Sequence, residues 1–185
     1  LLNEDAREYP QGRLAAHVVG FTGMDGTGLE GAEYRYDAVL TDAEASGDVI
    51  HGSDIMLSID RTVQWIIGRE LARAVLERGA SQGSAVVLEV GSGRILALAK
   101  YPDFDPSRYG SFSTDDRRFF GITDAFEPGS VMKAFAAAAW LESNPDLKQT
   151  WQCSGAVKIG NQVINCTAAH GTVDMNRAIA VSCNS

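Results

Sequence analysis

The chain has 185 residues, 45% hydrophobic and 22% charged, with 16 Lys and Arg against 24 Asp and Glu, a net charge of −8 and a pI near 4.8. This is the composition of a folded chain of one domain, or one and a fraction, and it excludes a disordered one. An acidic balance with no basic cluster makes the chain a poor candidate for binding nucleic acid or anionic lipid. The longest wholly apolar run, 134–141, is too short to span a bilayer. The opening Leu1-Leu2-Asn3-Glu4-Asp5 lacks the basic and apolar regions of a signal peptide.

Residues 1–53 are rich in glycine and turn formers. Tyr9-Pro10-Gln11-Gly12 predicts a turn, 14–19 a short helix or strand, and the glycines of 20–31 several positive-φ turns. Such a stretch makes no large core alone and is expected to pack on other chain. Residues 53–59 alternate Ile55, Leu57 and Ile59 to one face, which predicts a strand. Asp60 is placed to cap a helix carrying Val63, Ile66, Ile67, Leu71 and Ala74 at helical spacing, with Gly79 to end it. Residues 85–90 predict a buried strand and 95–99 a second, joined by the tight turn Gly91-Ser92-Gly93-Arg94 into an antiparallel hairpin. Residues 102–116 predict a loop. Pro128-Gly129 introduces an alanine-rich helix over 131–143, stopped by Asn144-Pro145. Val131, Phe135 and Ala138 or Ala139 are expected to be its buried contacts. Short strands over 151–164 turn at Gly160-Asn161, and Asp174 caps a last helix to about Val181. The order predicts an α/β (α+β) fold with helices packed on an antiparallel sheet.

The sharpest chemical feature is Ser130-Val131-Met132-Lys133. Positions i and i+3 share a helix face, so Ser130 Oγ and the Lys133 amine can approach hydrogen-bonding distance. A serine hydroxyl needs a base to become a good nucleophile, and a desolvated lysine can serve. Free N–H groups at a helix start favour developing negative charge. A bare S-x-x-K arises often by chance, and its plain alternative is a capping serine beside a surface lysine. About fifty residues later comes Ser182-Cys183-Asn184. There a hydroxyl can relay a proton and an amide can hold a substrate amide, although the same residues also suit an ordinary polar helix end.

S-x-x-K, S-D-N and K-T-G together are the signature of β-lactamases and penicillin-binding proteins, and this chain carries the first and a form of the second. Nearly the whole chain resembles the class B penicillin-binding proteins, the division- and sporulation-type transpeptidases. Ala15-Ala16-His17-Val18-Val19-Gly20-Phe21-Thr22-Gly23 and Gly28-Leu29-Glu30-Gly31 are similar to the family's segment before the catalytic domain. Leu57-Ser58-Ile59-Asp60 with Gln64 resembles its L-T-I-D…Q start of the transpeptidase domain. Gly93-Arg94-Ile95-Leu96-Ala97-Leu98-Ala99 with Pro102 and Phe104-Asp105-Pro106 resembles the following stretch. Ile122-Thr123-Asp124 and Phe126-Glu127-Pro128-Gly129-Ser130 with Lys133 resemble its acylation motif.

The resemblance implies a penicillin-binding-protein transpeptidase fold, with 1–53 as the last part of an N-terminal pedestal and 54–185 as the first part of the transpeptidase domain. It implies a peptidoglycan D,D-transpeptidase in which Ser130 attacks a D-Ala-D-Ala carbonyl and Lys133 takes its proton. Ser182 would protonate the leaving amine, Asn184 would bind a substrate amide, and the Ser130 N–H would form half of an oxyanion hole. The implied partners are the peptidoglycan stem peptide, β-lactams and a glycosyltransferase of the cell-wall assembly. The implied place is the outer face of the bacterial cell membrane, through an N-terminal anchor outside this chain. Catalysis needs no cofactor. A serine β-lactamase or β-lactam sensor, or a non-catalytic piece of the fold, are the alternatives. The segment before Asp60 speaks against the lactamase.

Three departures from the family pattern stand out. Lys100, Lys133, Lys148 and Lys158 are the lysines, and none begins a Lys-Thr-Gly or Lys-Ser-Gly third motif. The chain is therefore expected to be an incomplete piece, inactive alone. The segment 40–54 is shorter than usual in the family, and Phe119 stands where the family often has asparagine.

Cys153, Cys166, His170 and Cys183 have the spacing C-x12-C-x3-H-x12-C. Three thiolates and an imidazole suit a closed tetrahedral zinc site, but the tight C-x2-C pair is lacking. A Cys153–Cys166 disulfide and three free buried thiols are the alternatives. A cysteine-bearing subgroup of the resembled family, including sporulation-type members, shows the same C…C…H-G…S-C-N arrangement. His17 and His51 have no evident partners in sequence.

Overall fold

A computed structural model of the chain describes residues 7–42, 44–46, 49–143 and 148–185, with backbone alone over 44–46 and 49–51. It divides into a unit ending at Asp124 and a unit from Ala125 to Ser185. The position expected as a domain boundary, Ser53–Asp54, lies inside the first of these units.

In the first unit, Gly12 closes the expected turn, its N–H donating to Tyr9 O at 2.8 Å with φ 55. Then follow α1 (Ala16–Val19), β1 (Phe21–Thr22), β2 (Gly28–Glu30), α2 (Gly31–Arg35) and α3 (Asp37–Thr41). Antiparallel pairs join β1 to β2, and β3 (Glu44–Ser46) to β4 (Val49–His51). Gly20 is required by close approach: at φ 80, a Cβ there would lie 1.7 Å from Glu30 O. Ala16, Phe21 and Phe104 are fully buried and share a core with Tyr9, Tyr109 and Phe112. The Phe21 and Tyr109 rings stack at 4.2 Å, and the Arg117 guanidinium lies 5.1 Å from the Phe21 centroid. Residues 9–21 therefore share one aromatic core with 104–112.

The long helix α4 (Arg61–Arg78) begins as expected, with Asp60 Oδ1 accepting from the Val63 N–H at 2.9 Å, and ends at Gly79 with φ 62. It packs on the antiparallel hairpin of β5 (Gly83–Leu88) and β6 (Ile95–Tyr101), in register Ala85–Ala99 and Val87–Ala97. The hairpin turn uses Gly91 and Gly93, both at positive φ. The buried helix positions are Gln64 and Val75, whereas Ile66 and Ala74 of the expected stripe are exposed. Gln64 explains this rotation. Its amide receives the Leu98 N–H at 2.8 Å and donates to Leu98 O at 3.0 Å, fixing the helix to β6. Ala97, Leu98, Ala99 and Lys100 are buried on β6. On β5 burial alternates, with Val86 and Leu88 about half exposed, so this strand is covered on one face and not on both. Replacing Gln64 with Leu should strand the Leu98 N–H and C=O and destabilise the fold by about 1–3 kcal/mol. Urea unfolding of the full-length variant would read this as a lower midpoint. An unchanged midpoint would show that water replaces the amide.

Residues 53–59 form no strand, contrary to expectation. Ile55, Leu57 and Ile59 are half-buried beside an exposed Met56, so the alternation is real. A strand also needs a ladder partner. Here the ties are Ser58 Oγ donating to Ile95 O and the Asp60 N–H donating to Leu96 O. Residues 102–116 hold more order than a loop: a 3-10 segment Pro106–Ser111 and a short helix α5 (Thr114–Arg117) with a Ser113–Asp116 capping box. Another short helix, α6 (Phe120–Thr123), follows.

His17 has partners after all. Its Nε2–H donates to Asp116 O at 2.9 Å, and its ring sits edge-on to Phe104 at 4.9 Å and Phe119 at 6.0 Å. The buried Lys100 amine donates to the same carbonyl at 2.7 Å and to Asp115 O, so both side chains satisfy the end of α5. The residue standing in place of the family's asparagine, Phe119, is buried in this cluster. The side chain of His51 lies outside the described ones. Burial lowers the His17 pKa below its ordinary 6.5, with Lys100 adding to this and the Asp116 carbonyl and Asp103 opposing. The unfolded chain thus takes the proton first as pH falls. This contribution to stability is present above 6.5 and is lost as pH drops through the folded-state value. His17→Gln should flatten the fall in melting temperature between about pH 7.5 and 5.5. An identical slope in both proteins would remove His17 from the pH response.

In the second unit, a 3-10 turn Gly129–Val131 leads into α7 (Met132–Ser143). The stop signal Asn144-Pro145 lies outside the described residues. An antiparallel pair joins β7 (Thr150–Cys153) to β10 (Gly171–Asp174), and a hairpin joins β8 (Ala156–Ile159) to β9 (Gln162–Asn165) through Gly160 at φ 59. Asp174 caps α8 (Met175–Ala180) by accepting from the Arg177 N–H. The expected buried face of α7 is not the observed one: Val131, Phe135, Ala138 and Ala139 are exposed and Ala137 is buried. A run this uniformly apolar has no sharp stripe to read. The edge-to-face contact of Trp140 with Trp151, at 5.4 Å, turns the Lys133–Ala137–Trp140 side toward β7 and α8.

Candidate active site and cysteine cluster

Pro128-Gly129 places Ser130 in the first turn before α7, with Gly129 at φ 55, a conformation open to glycine. One turn on, Lys133 extends beside it. Lys133 Nζ lies 3.0 Å from Ser130 Oγ, 2.8 Å from Ser182 Oγ, 2.9 Å from Ser182 O and 2.6 Å from Asn184 Oδ1. Ser182 Oγ donates to Ser130 Oγ at 2.8 Å. All four residues singled out in sequence thus meet around one amine.

The second motif owes its place to the end of α8. There the Ser182 N–H donates to Ile179 O and the Cys183 N–H to Ala178 O. Ser182 then takes a left-handed φ of 52, a conformation that costs a non-glycine residue about 1 kcal/mol or more. That turn brings both its hydroxyl and its carbonyl to Lys133. Asn184 is held as well, its Nδ2 donating to Asn165 O at 2.7 Å.

The partners of Lys133 define what the site can do. Ser182 O and Asn184 Oδ1 can only accept, so each takes one N–H of the amine. The remaining position faces two hydroxyls. In the neutral amine that position is a lone pair, and it can accept a proton from Ser130 directly or through Ser182. An apolar cavity of about 370 Å³ opens beside this network, lined by Lys133, Trp140, Trp151, Ile179 and Asn184 among others.

Behind Ser182 and Asn184 lie the three cysteines, all free thiols, and His170. The four ligand atoms lie within 4.8 Å of one another. Sγ of Cys166 is 3.7 Å from that of Cys153 and 3.8 Å from that of Cys183, and Cys153 Sγ is 3.5 Å from His170 Nδ1. The Ser185 hydroxyl and the N–H groups of His170 and Gly155 pull the Cys153 thiol down to about 5, while burial pushes Cys183 up. Sequence reasoning missed Ser185 and the carbonyl of Asn165, since a serine after a motif and a backbone carbonyl leave no pattern to read.

The family model described as the penicillin binding protein transpeptidase domain matches residues 83–185, more than half of the chain. PenA of Neisseria gonorrhoeae, named a probable peptidoglycan D,D-transpeptidase, is 34% identical over 201 residues, covering 96% of this chain and 34% of its own length. The peptidoglycan D,D-transpeptidase FtsI of Escherichia coli is 34% identical over 159 residues, covering 77% of this chain and 27% of its own length. Among solved structures, apo penicillin-binding protein 3 of Mycobacterium tuberculosis superposes with a TM-score of 0.79 at 35% identity, over 91% of this chain and 39% of that one. The same protein has been solved with aztreonam and with ampicillin. The fold is that of a penicillin-binding transpeptidase domain. The chain belongs to the penicillin-binding protein transpeptidase family, and it spans about a third of the length of the curated relatives it matches. Among the described residues, no helix is long and apolar enough to cross a membrane.

Proposed function

We propose that the protein carrying this chain is a peptidoglycan D,D-transpeptidase that works through a Ser130 acyl-enzyme. The observation that carries this reading is the convergence of Ser130, Ser182 and Asn184 on Lys133. In the first step Ser130 Oγ bonds to the penultimate D-Ala carbonyl carbon of a stem peptide, and its proton passes to the Lys133 amine. The tetrahedral centre collapses, the C–N bond breaks, and the terminal D-Ala amine leaves with a proton delivered through Ser182. The Ser130 N–H, at a helix start with no intrahelical acceptor, supports the developing oxyanion. The amine of a neighbouring stem peptide then attacks the ester, with Lys133 and Ser182 returning the proton to Ser130. A β-lactam enters by the same first step and stays bound, because its ring-opened amine is tethered. Asn184 orients the amide of either ligand.

The same reading places the protein at the outer face of the bacterial cell membrane, where its substrate is, held by an anchor elsewhere in the protein. It works beside a glycosyltransferase that supplies the glycan strands. Residues 54–185 belong to the transpeptidase domain and 1–53 to a pedestal. The third motif, Lys-Thr-Gly or Lys-Ser-Gly, is supplied by a part of the protein other than this chain. The test is therefore made on the full-length protein. Incubated with a D-Ala-D-Ala pentapeptide and an acceptor amine, it should release D-Ala and form the cross-linked product in equal amounts. Product absent under conditions where a known transpeptidase succeeds would overturn the reading.

A further inference from the structure

We propose that Cys153, Cys166, His170 and Cys183 bind one zinc ion, and that this ion clamps the Ser182–Asn184 motif against β7 and the turn after β9. The coupling to Ser182 and Asn184 rests on the transpeptidase reading, but the binding of zinc does not.

The distances fit the ion. Zn–S bonds of about 2.3 Å and Zn–N bonds of about 2.0–2.1 Å give tetrahedral edges of about 3.8 Å between sulfurs and about 3.5–3.6 Å from sulfur to nitrogen. The edges observed are 3.7, 3.8 and 3.5 Å. The widest pair, within 4.8 Å, needs to close by about 1 Å. A disulfide fits less well. It would bring one pair of sulfurs to about 2.05 Å. Here Cys166 is nearly equidistant from two cysteines, and His170 Nδ1 turns inward with no role in a disulfide.

The surroundings are those of a thiolate site. Cys166 Sγ receives the Asn184 N–H at 3.1 Å, and the Ser185 hydroxyl donates to Cys153 Sγ at 3.4 Å. Donors of this kind orient and stabilise metal-bound sulfur. Two of the ligands, Cys153 and Cys183, are themselves the buried core of this unit together with Val173. A unit with so small an apolar core needs a staple, and a structural metal is one. Four protein ligands close the coordination sphere, so the ion binds no substrate. Its role is to position: Cys183 stands between Ser182 and Asn184, and Cys166 bonds to the backbone of Asn184.

The test uses full-length protein purified in reductant without a metal-affinity tag. Elemental analysis should give one zinc per chain. Cobalt(II) exchanged into the protein should show the intense visible bands and thiolate charge transfer of a tetrahedral three-sulfur site. Absence of zinc together with no cobalt spectrum, or a Cys153–Cys166 disulfide in the peptide map, would overturn the site. Should Cys183→Ser fail to fold, His170→Ala provides a milder loss of one ligand, expected to release zinc to a chromophoric chelator faster than the parent. Removal of zinc by chelation should slow acylation of Ser130 by a fluorescent penicillin by about 10–100-fold, restored by added zinc. Acylation unchanged in the zinc-free protein would overturn the clamp. A zinc-loaded protein that never acylates would leave the metal site standing and sink the transpeptidase reading instead.

Discussion

Ser130→Ala is expected to abolish the covalent adduct of the full-length protein with β-lactams and to lower transpeptidation to the level of the uncatalysed background. The hydroxyl is the only atom proposed to bond to the substrate carbonyl, and Lys133 and Ser182 have nothing to activate without it. In serine enzymes of this kind, removing the nucleophile costs on the order of 10⁶ in rate. The variant should still fold, because Ser130 lies in an exposed first turn and Ala removes only the two hydrogen bonds that Ser130 Oγ accepts, from Lys133 and Ser182. It should therefore retain non-covalent binding of a stem peptide. An adduct persisting in Ser130→Ala would move the nucleophile elsewhere.

The second large effect is expected at Lys133. Lys133→Met keeps the length of the side chain and the packing of its stem but removes the amine. Ser182 O and Asn184 Oδ1 then lose their shared donor, and Ser130 loses its base. A positioned base is worth about 10²–10⁴-fold, so acylation by penicillin should fall by at least that range. Two causes would be mixed in that number: loss of proton transfer and loosening of the Ser182–Asn184 turn. Ser182→Ala separates them, since it leaves the amine in place and removes only the relay hydroxyl. A smaller loss in Ser182→Ala than in Lys133→Met is the expected order. The reverse order would make Ser182 the base and Lys133 its support.

Much of this site is legible in the sequence. S-x-x-K on a helix places two side chains by geometry alone, and the proline–glycine pair before it fixes where the helix starts. The cap at Asp60, the glycine at 79 and the hairpin over 83–101 are also local, each set by residues within a few positions. What could not be read was set by partners far away in sequence. Gln64 turned the face of α4 because it finds the Leu98 backbone, 34 positions on. Residues 53–59 alternate like a strand, yet strand formation depends on a neighbour that the pattern does not encode. The face of α7 was hidden for the opposite reason: alanine on every side carries no direction, and one contact between Trp140 and Trp151 chose it. The left-handed turn at Ser182 left no sign either, since serine is not the residue expected there.

The identity of the acylated residue decides the mechanism. Full-length protein treated with excess penicillin, digested and mapped by mass spectrometry should carry one penicilloyl group, on Ser130, in the peptide that contains Glu127-Pro128-Gly129. An adduct on Ser182 or on any other residue, or unmodified protein after saturating treatment, would contradict it.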